Sequence, residues 1–134
     1  MHNNRFSPKV NIPYSPADII DRPRLYSLLH NNRRKKVTIV RAPARYGKTT
    51  LLLQWLTTLK EPIAWLTIDR ADSDPVRLWT YVTQSVENAL QINIDAVFAP
   101  ILHSQDDAKY DFFIDSFLHE LTIYNQPLHI VLDD

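Results

Sequence analysis

An α/β fold with a parallel sheet is predicted by three features of this 134-residue chain. Short, β-branched apolar runs alternate with longer stretches of helical periodicity, the signature of βαβ units. The runs are apolar at successive positions, as expected of strands covered on both faces. Apolar residues make up 45% of the chain and charged residues 22%, which suits one globular domain and excludes disorder as the main state.

The chain opens on a leader, residues 1–20, with Pro8, Pro13 and Pro16 and no periodicity, expected to drape over the domain rather than enter its core. The domain is expected over residues 21–134. Asp21 reads as the N-cap of a helix with Pro23 in its first turn and Leu25, Leu28 and Leu29 on one side. That helix stops in Asn31-Asn32, and Arg33-Arg34-Lys35-Lys36 reads as a solvated turn whose cations suit a helix C-terminus. Val37-Thr38-Ile39-Val40 is the first strand. A helix opens near Lys48, with Leu51, Leu52, Trp55, Leu56 and Leu59 on its stripe, and Glu61-Pro62 ends it.

Ile63 to Ile68 is the second strand, closing at Asp69. Asp74-Pro75 has the form of an N-cap and first helical position, leading a helix that carries Leu78, Trp79, Val82, Val86 and Leu90. Residues 91–107 read as a loop with one short turn. Phe113, Phe117, Leu121 and Tyr124 mark another helix, and Leu128 to Leu132 a third strand that runs into Asp133-Asp134.

Charge and composition exclude several functions. Lys plus Arg equals Asp plus Glu at 15 each, so the basic excess of a free-standing nucleic-acid binder is missing. There is no Cys, hence no disulfide framework, thiolate zinc site or cysteine nucleophile. The five His have no metal-ligand spacing. No apolar run exceeds four residues, whereas a membrane span needs about twenty, and the N-terminus lacks a signal-peptide apolar region. The cytoplasm is the expected location.

Gly occurs once, where average usage of about 7% would give several. It lies between the first strand and its helix, in Ala42-Pro43-Ala44-Arg45-Tyr46-Gly47-Lys48-Thr49-Thr50. This segment matches the G-x-x-x-x-G-K-[ST] phosphate loop, or P-loop, except that Ala42 replaces the first Gly. In a P-loop, backbone amides at the positive end of a helix cradle phosphates. Lys48 would reach the β- and γ-phosphates, and the Thr49 hydroxyl would ligate Mg²⁺. The apolar run ending in two carboxylates matches the partner Walker B strand, with Asp133 holding Mg²⁺ and Asp134 acting on the attacking water.

The P-loop with Leu51-Leu52 and Gln54-Trp55 resembles the N-terminal ATPase domain of the MalT family of transcriptional regulators. These are STAND-class signal-transduction NTPases with a LuxR-type DNA-binding domain. Asp21-Arg22-Pro23-Arg24-Leu25, Ala64 to Asp69, Asp72 to Val82 and Gln126 to Asp134 resemble further family segments in matching order. The resemblance implies an α/β P-loop NTPase sheet with flanking helices, truncated after the Walker B strand. It implies ATP and Mg²⁺ as ligands, Arg22 as a nucleotide contact, self-association in the full-length protein, and DNA contact only through a C-terminal domain absent here.

In that family Ala at position 42 is ordinary, but Arg45 stands where Gly is usual. A non-Gly residue forced to positive φ there would cost about 1–3 kcal/mol. The guanidinium could either block phosphate or contact it. Two other readings stay open at this stage: a truncated remnant that binds no nucleotide and at most pairs with a full-length relative, and a small P-loop kinase. Negligible ATP turnover is expected, because the strand that aligns P-loop and Walker B carboxylates would come later in the chain.

Overall fold

The structure is a computed structural model and describes residues 8–12, 23–31 and 47–133. The predicted strand Val37 to Val40, and with it Asp21, Arg22, Ala42, Pro43, Ala44, Arg45, Tyr46 and Asp134, lies outside the described residues. The chain divides into two compact units, Pro13–Glu61 and Met1–Ile12 with Pro62–Asp134.

In the first unit, helix α1 spans Pro23–Asn31 and packs against α2, Lys48–Leu59. Proline suits the opening of α1 because the first-turn amides have no acceptor inside a helix. Of the three leucines predicted to share one side, Leu29 is buried and Leu28 is exposed. Helix α2 buries Leu51, Leu53, Trp55 and Leu56, while Leu52 and Leu59 are half-buried. Periodicity favours Leu52 over Leu53; with three leucines in a row, either register of the stripe satisfies the pattern, and packing decides. The helix ends at Lys60, whose φ of 54° is left-handed.

The second unit holds β1 (Ile63–Thr67), α3 (Pro75–Leu90), α4 (Asp95–Leu102), α5 (Lys109–Tyr124) and β2 (His129–Asp133). The strands pair in parallel, with Ile63 opposite His129 and Thr67 opposite Asp133. A parallel pair needs a crossover, and α3 to α5 supply it. Ala64, Trp65 and Leu66 are buried on both faces of β1, as its unbroken apolar run requires. Strand β2 differs from expectation: Ile130 and Leu132 are exposed.

Asp74 caps α3 as predicted, its Oδ1 accepting from the Val76 amide at 3.3 Å with Pro75 at the first helical position. Val82 and Val86 are buried, and Leu78, Trp79 and Leu90 pack beside them. The segment read as a loop contains α4 instead. Its eight residues are too few for a periodic signal, and Pro100 inside it argues against a helix. Tertiary contacts override that: Phe98 and Leu102 are buried in the core, and the buried Glu87 carboxylate accepts from the Ile94 amide at 3.2 Å where α4 begins.

Aromatic rings join α3, α4 and α5. Phe98 meets Phe113 edge-on at 5.3 Å and Phe117 at 5.7 Å, Phe113 stacks on Phe117 at 5.5 Å, and Trp79 lies 5.4 Å from Phe113. Such pairs add roughly 0.5–1.5 kcal/mol each beyond burial. Val10, expected in a leader outside the core, is 2% exposed and belongs to the same cluster. Pro8–Val10 forms a 3-10 turn beside β1.

Candidate functional site

The lone glycine sits where the backbone demands it. Gly47 has φ 76° and ψ 29°, left-handed, and is the N-cap of α2. A Cβ here would crowd the backbone, so the position favours Gly by about 1–2 kcal/mol. The Leu51 amide donates to the Gly47 carbonyl at 2.9 Å, which sets the first rung of the helix ladder. Lys48, Thr49 and Thr50 therefore form the first turn of α2, where amides and dipole together favour an anion.

The acidic strand end belongs to the other unit. Asp133 closes β2, and its carbonyl accepts from the Ile68 amide at 2.6 Å. The structure thus brings Gly47, Lys48, Thr49 and Thr50 together at one helix start and places Asp133 at a strand's carboxyl end. In open α/β sheets, ligands bind at the carboxyl ends of strands. The carboxylate of Asp133 is a hard oxygen donor, and Mg²⁺ takes one or two such groups plus phosphate and water rather than a dedicated protein cage. Among the described residues no three of His, Asp and Glu gather into a cage of that kind.

Sequence reasoning missed a charged cluster at the carboxyl end of β1. Asp69 and Asp72 form a reciprocal capping box around the 3-10 turn Arg70–Ser73. Asp69 Oδ1 accepts from the Ala71 amide and Asp72 Oδ2 from the Asp69 amide, both at 2.8 Å. Lys9 reaches in from the N-terminal segment and donates from Nζ to the Thr67 carbonyl at 2.7 Å, to Asp69 Oδ2 at 3.1 Å and to Asp72 Oδ2. Arg77 on α3 donates from Nε to Asp72 Oδ1 at 3.2 Å. Lys9 and Arg77 each lie 5.2 Å from the centre of the Tyr81 ring.

Burial opposes the charge on Asp72, whose side chain is 1% exposed, but hydrogen bonds from Lys9 and the Asp69 amide outweigh it and hold the carboxyl below its ordinary value. The Lys9 hydrogen bond likewise lowers Asp69. Lys9 itself is raised, because its two carboxylate partners outweigh desolvation. The spacing Asp69-x-x-Asp72 is the one legible trace of this cluster in the sequence; nothing local links it to Lys9.

Fold and site define an α/β protein with a glycine-capped helix start and an acidic strand end. The chain is 32% identical to the HTH-type transcriptional regulator MalT of Vibrio cholerae over 94% of its own length. It is 30% identical to the regulator of the same name from Serratia proteamaculans over the same share. The serine/threonine-protein kinase PknK of Mycobacterium tuberculosis is 25% identical over 99% of the chain. The chain spans 14% of the length of the two regulators and 13% of that of the kinase. The family described as origin of replication binding protein matches residues 17–69. No solved structure matches significantly. The chain is thus a MalT-like sequence, related over nearly all its length to proteins named as transcriptional regulators. Among the described residues no helix is long and apolar enough to cross a membrane.

Proposed function

We propose that this chain is the nucleotide-binding part of a MalT-like transcriptional regulator in the cytoplasm. ATP with Mg²⁺ binds at Ala42 to Thr50, and nucleotide acts as a switch for self-association and promoter activation. The observation that carries this reading is Gly47 at φ 76°, capping a helix whose first turn is Lys48-Thr49-Thr50. Lys48 supplies a cation for the β- and γ-phosphates, the first-turn amides of α2 supply oriented donors, and Arg22 supplies a further nucleotide contact. Thr49 and Asp133 supply the hard oxygens that suit Mg²⁺. When bound, the ion neutralises phosphate charge. Asp134, next in the chain, is the group for orienting a water. Turnover is secondary in such a switch, and DNA is contacted through a separate C-terminal domain of the full-length protein.

The test is ATP titration of the full chain with and without Mg²⁺, alongside Lys48→Ala. Losing a charge-assisted contact of roughly 1.5–3 kcal/mol weakens binding by about one to two decades. No binding at millimolar ATP, or binding unchanged in Lys48→Ala, removes the proposal.

A further inference from the structure

Lys9 is tied to the acidic end of β2 through a short chain of contacts. Its Nζ holds the carbonyl of Thr67, the residue opposite Asp133 in the parallel register. The next amide along, that of Ile68, donates to the Asp133 carbonyl at 2.6 Å. One residue further, the Asp69 amide is held by Asp72 Oδ2, which Lys9 also engages, and Arg77 holds the other oxygen of the same carboxylate. Of the three consecutive residues at the end of β1, Thr67 and Asp69 are therefore held by one ammonium group and one carboxylate, and Ile68 between them by the Asp133 carbonyl. Lys9 is only 11% exposed, so this is a docked contact rather than a solvated surface pair.

The consequence is mechanical. Strand ends fray because their last rungs lack neighbours on one side. At β1 the rung carrying Asp133 is the last one, yet it is anchored from a segment some sixty residues away in sequence. A ligand carboxylate gains from such fixing, since partners beyond a metal's own ligands hold those ligands in position. We propose that Lys9 is a positioning residue that sets the backbone at Asp133 for Mg²⁺-nucleotide, so that the seating of the N-terminal segment governs the Mg²⁺ dependence of binding. This rests on the nucleotide reading above and assigns it a residue outside the P-loop and Walker B segments.

The experiment uses the full chain, with ATP titrated in EDTA and MgCl₂ titrated at fixed ATP, for wild type, Lys9→Met and Lys9→Arg. In Lys9→Met the Mg²⁺ concentration for half-maximal effect rises about tenfold, while affinity for ATP in EDTA stays within about twofold. Lys9→Arg, which keeps the charge, recovers most of the difference. Equal weakening with and without Mg²⁺, or no change in either, overturns the proposal. Should Lys9→Met fail to fold, Asp69→Asn keeps the cap and removes one of the two carboxylates; a smaller shift in the same direction is expected, and none overturns it. Exchange of the Ile68 amide in nucleotide-free protein gives an independent reading. It accelerates in Lys9→Met relative to the Leu66 amide, and an unchanged ratio overturns the coupling. If wild type binds no ATP while that ratio changes, the nucleotide reading falls and the coupling of Lys9 to the Asp133 rung stands.

Discussion

Asp72→Asn removes one charge from the carboxyl end of β1 and little else, because Asn has nearly the same shape. The native carboxylate accepts on Oδ2 from Lys9 and the Asp69 amide, and on Oδ1 from Arg77. Asn has one acceptor oxygen and one NH₂ group. In either orientation of the amide, a donor therefore faces at least one donor. Hydrogen bonds to charged groups contribute roughly 1.5–3 kcal/mol each, and at least one is lost outright while another is weakened. Arg77 is 38% exposed, so its share is discounted for solvent screening. The expected destabilisation is about 2–4 kcal/mol, below the upper range for breaking a fully buried pair. Urea unfolding at neutral pH measures it as a fall in midpoint without a change in slope.

The pH dependence has a definite sign. Asp72 lies below its ordinary value of 3.8 in the folded chain, so its contribution is present above that value and lost as pH falls through the lowered folded one. Wild-type and Asp72→Asn stabilities should converge in acid. Lys9 is raised above 10.5, so its contribution is present below that value and is lost as pH rises through the raised one. A difference under about 0.5 kcal/mol at neutral pH, or a gap that persists unchanged in acid, refutes the assignment of this cluster as a stabilising network.

Three other outcomes can be checked. Phe113→Ala, at a side chain with no exposure and three ring neighbours, should cost about 3–5 kcal/mol in urea unfolding, whereas the adjacent, exposed Phe112→Ala should stay within roughly 0.5 kcal/mol. Gln91 caps α3 at φ 55° and Asn125 caps α5 at φ 45°, positions where Gly is usual; Gln91→Gly should stabilise by about 1 kcal/mol and Asn125→Gly by less, since Asn tolerates this region, as thermal melts would show. Arg45→Gly should tighten ATP binding if backbone strain of about 1–3 kcal/mol is relieved at that position; weaker binding with a flatter salt dependence means that the guanidinium grips phosphate.

What could be read from the sequence is what a few neighbouring residues determine. Asp74-Pro75 announces the start of α3 because a cap bond spans two residues, and the structure makes it. Scarcity and motif single out Gly47, and its left-handed φ is a demand of the turn itself. Strands β1 and β2 are legible because an apolar run of four or five residues is a local signal. The motif around Gly47 is local in the same way: it predicts a helix opening at Lys48, and α2 begins there; the apolar run before Asp133 likewise predicts the strand that Asp133 closes.

The tertiary structure decided everything that joins distant residues. Helix α4 contradicts its own composition because Phe98 and Leu102 gain more from the aromatic core than Pro100 costs in a two-turn helix. The choice of Leu53 over Leu52 depends on what lies against α2, which three identical side chains cannot encode. Lys9 joins Asp69 and Asp72 across 60 and 63 residues. Capping and periodicity reach only three or four positions along a chain. A contact over sixty residues is set by strand pairing and core packing, which bring the N-terminal turn to the end of β1 and leave no periodic mark in the sequence.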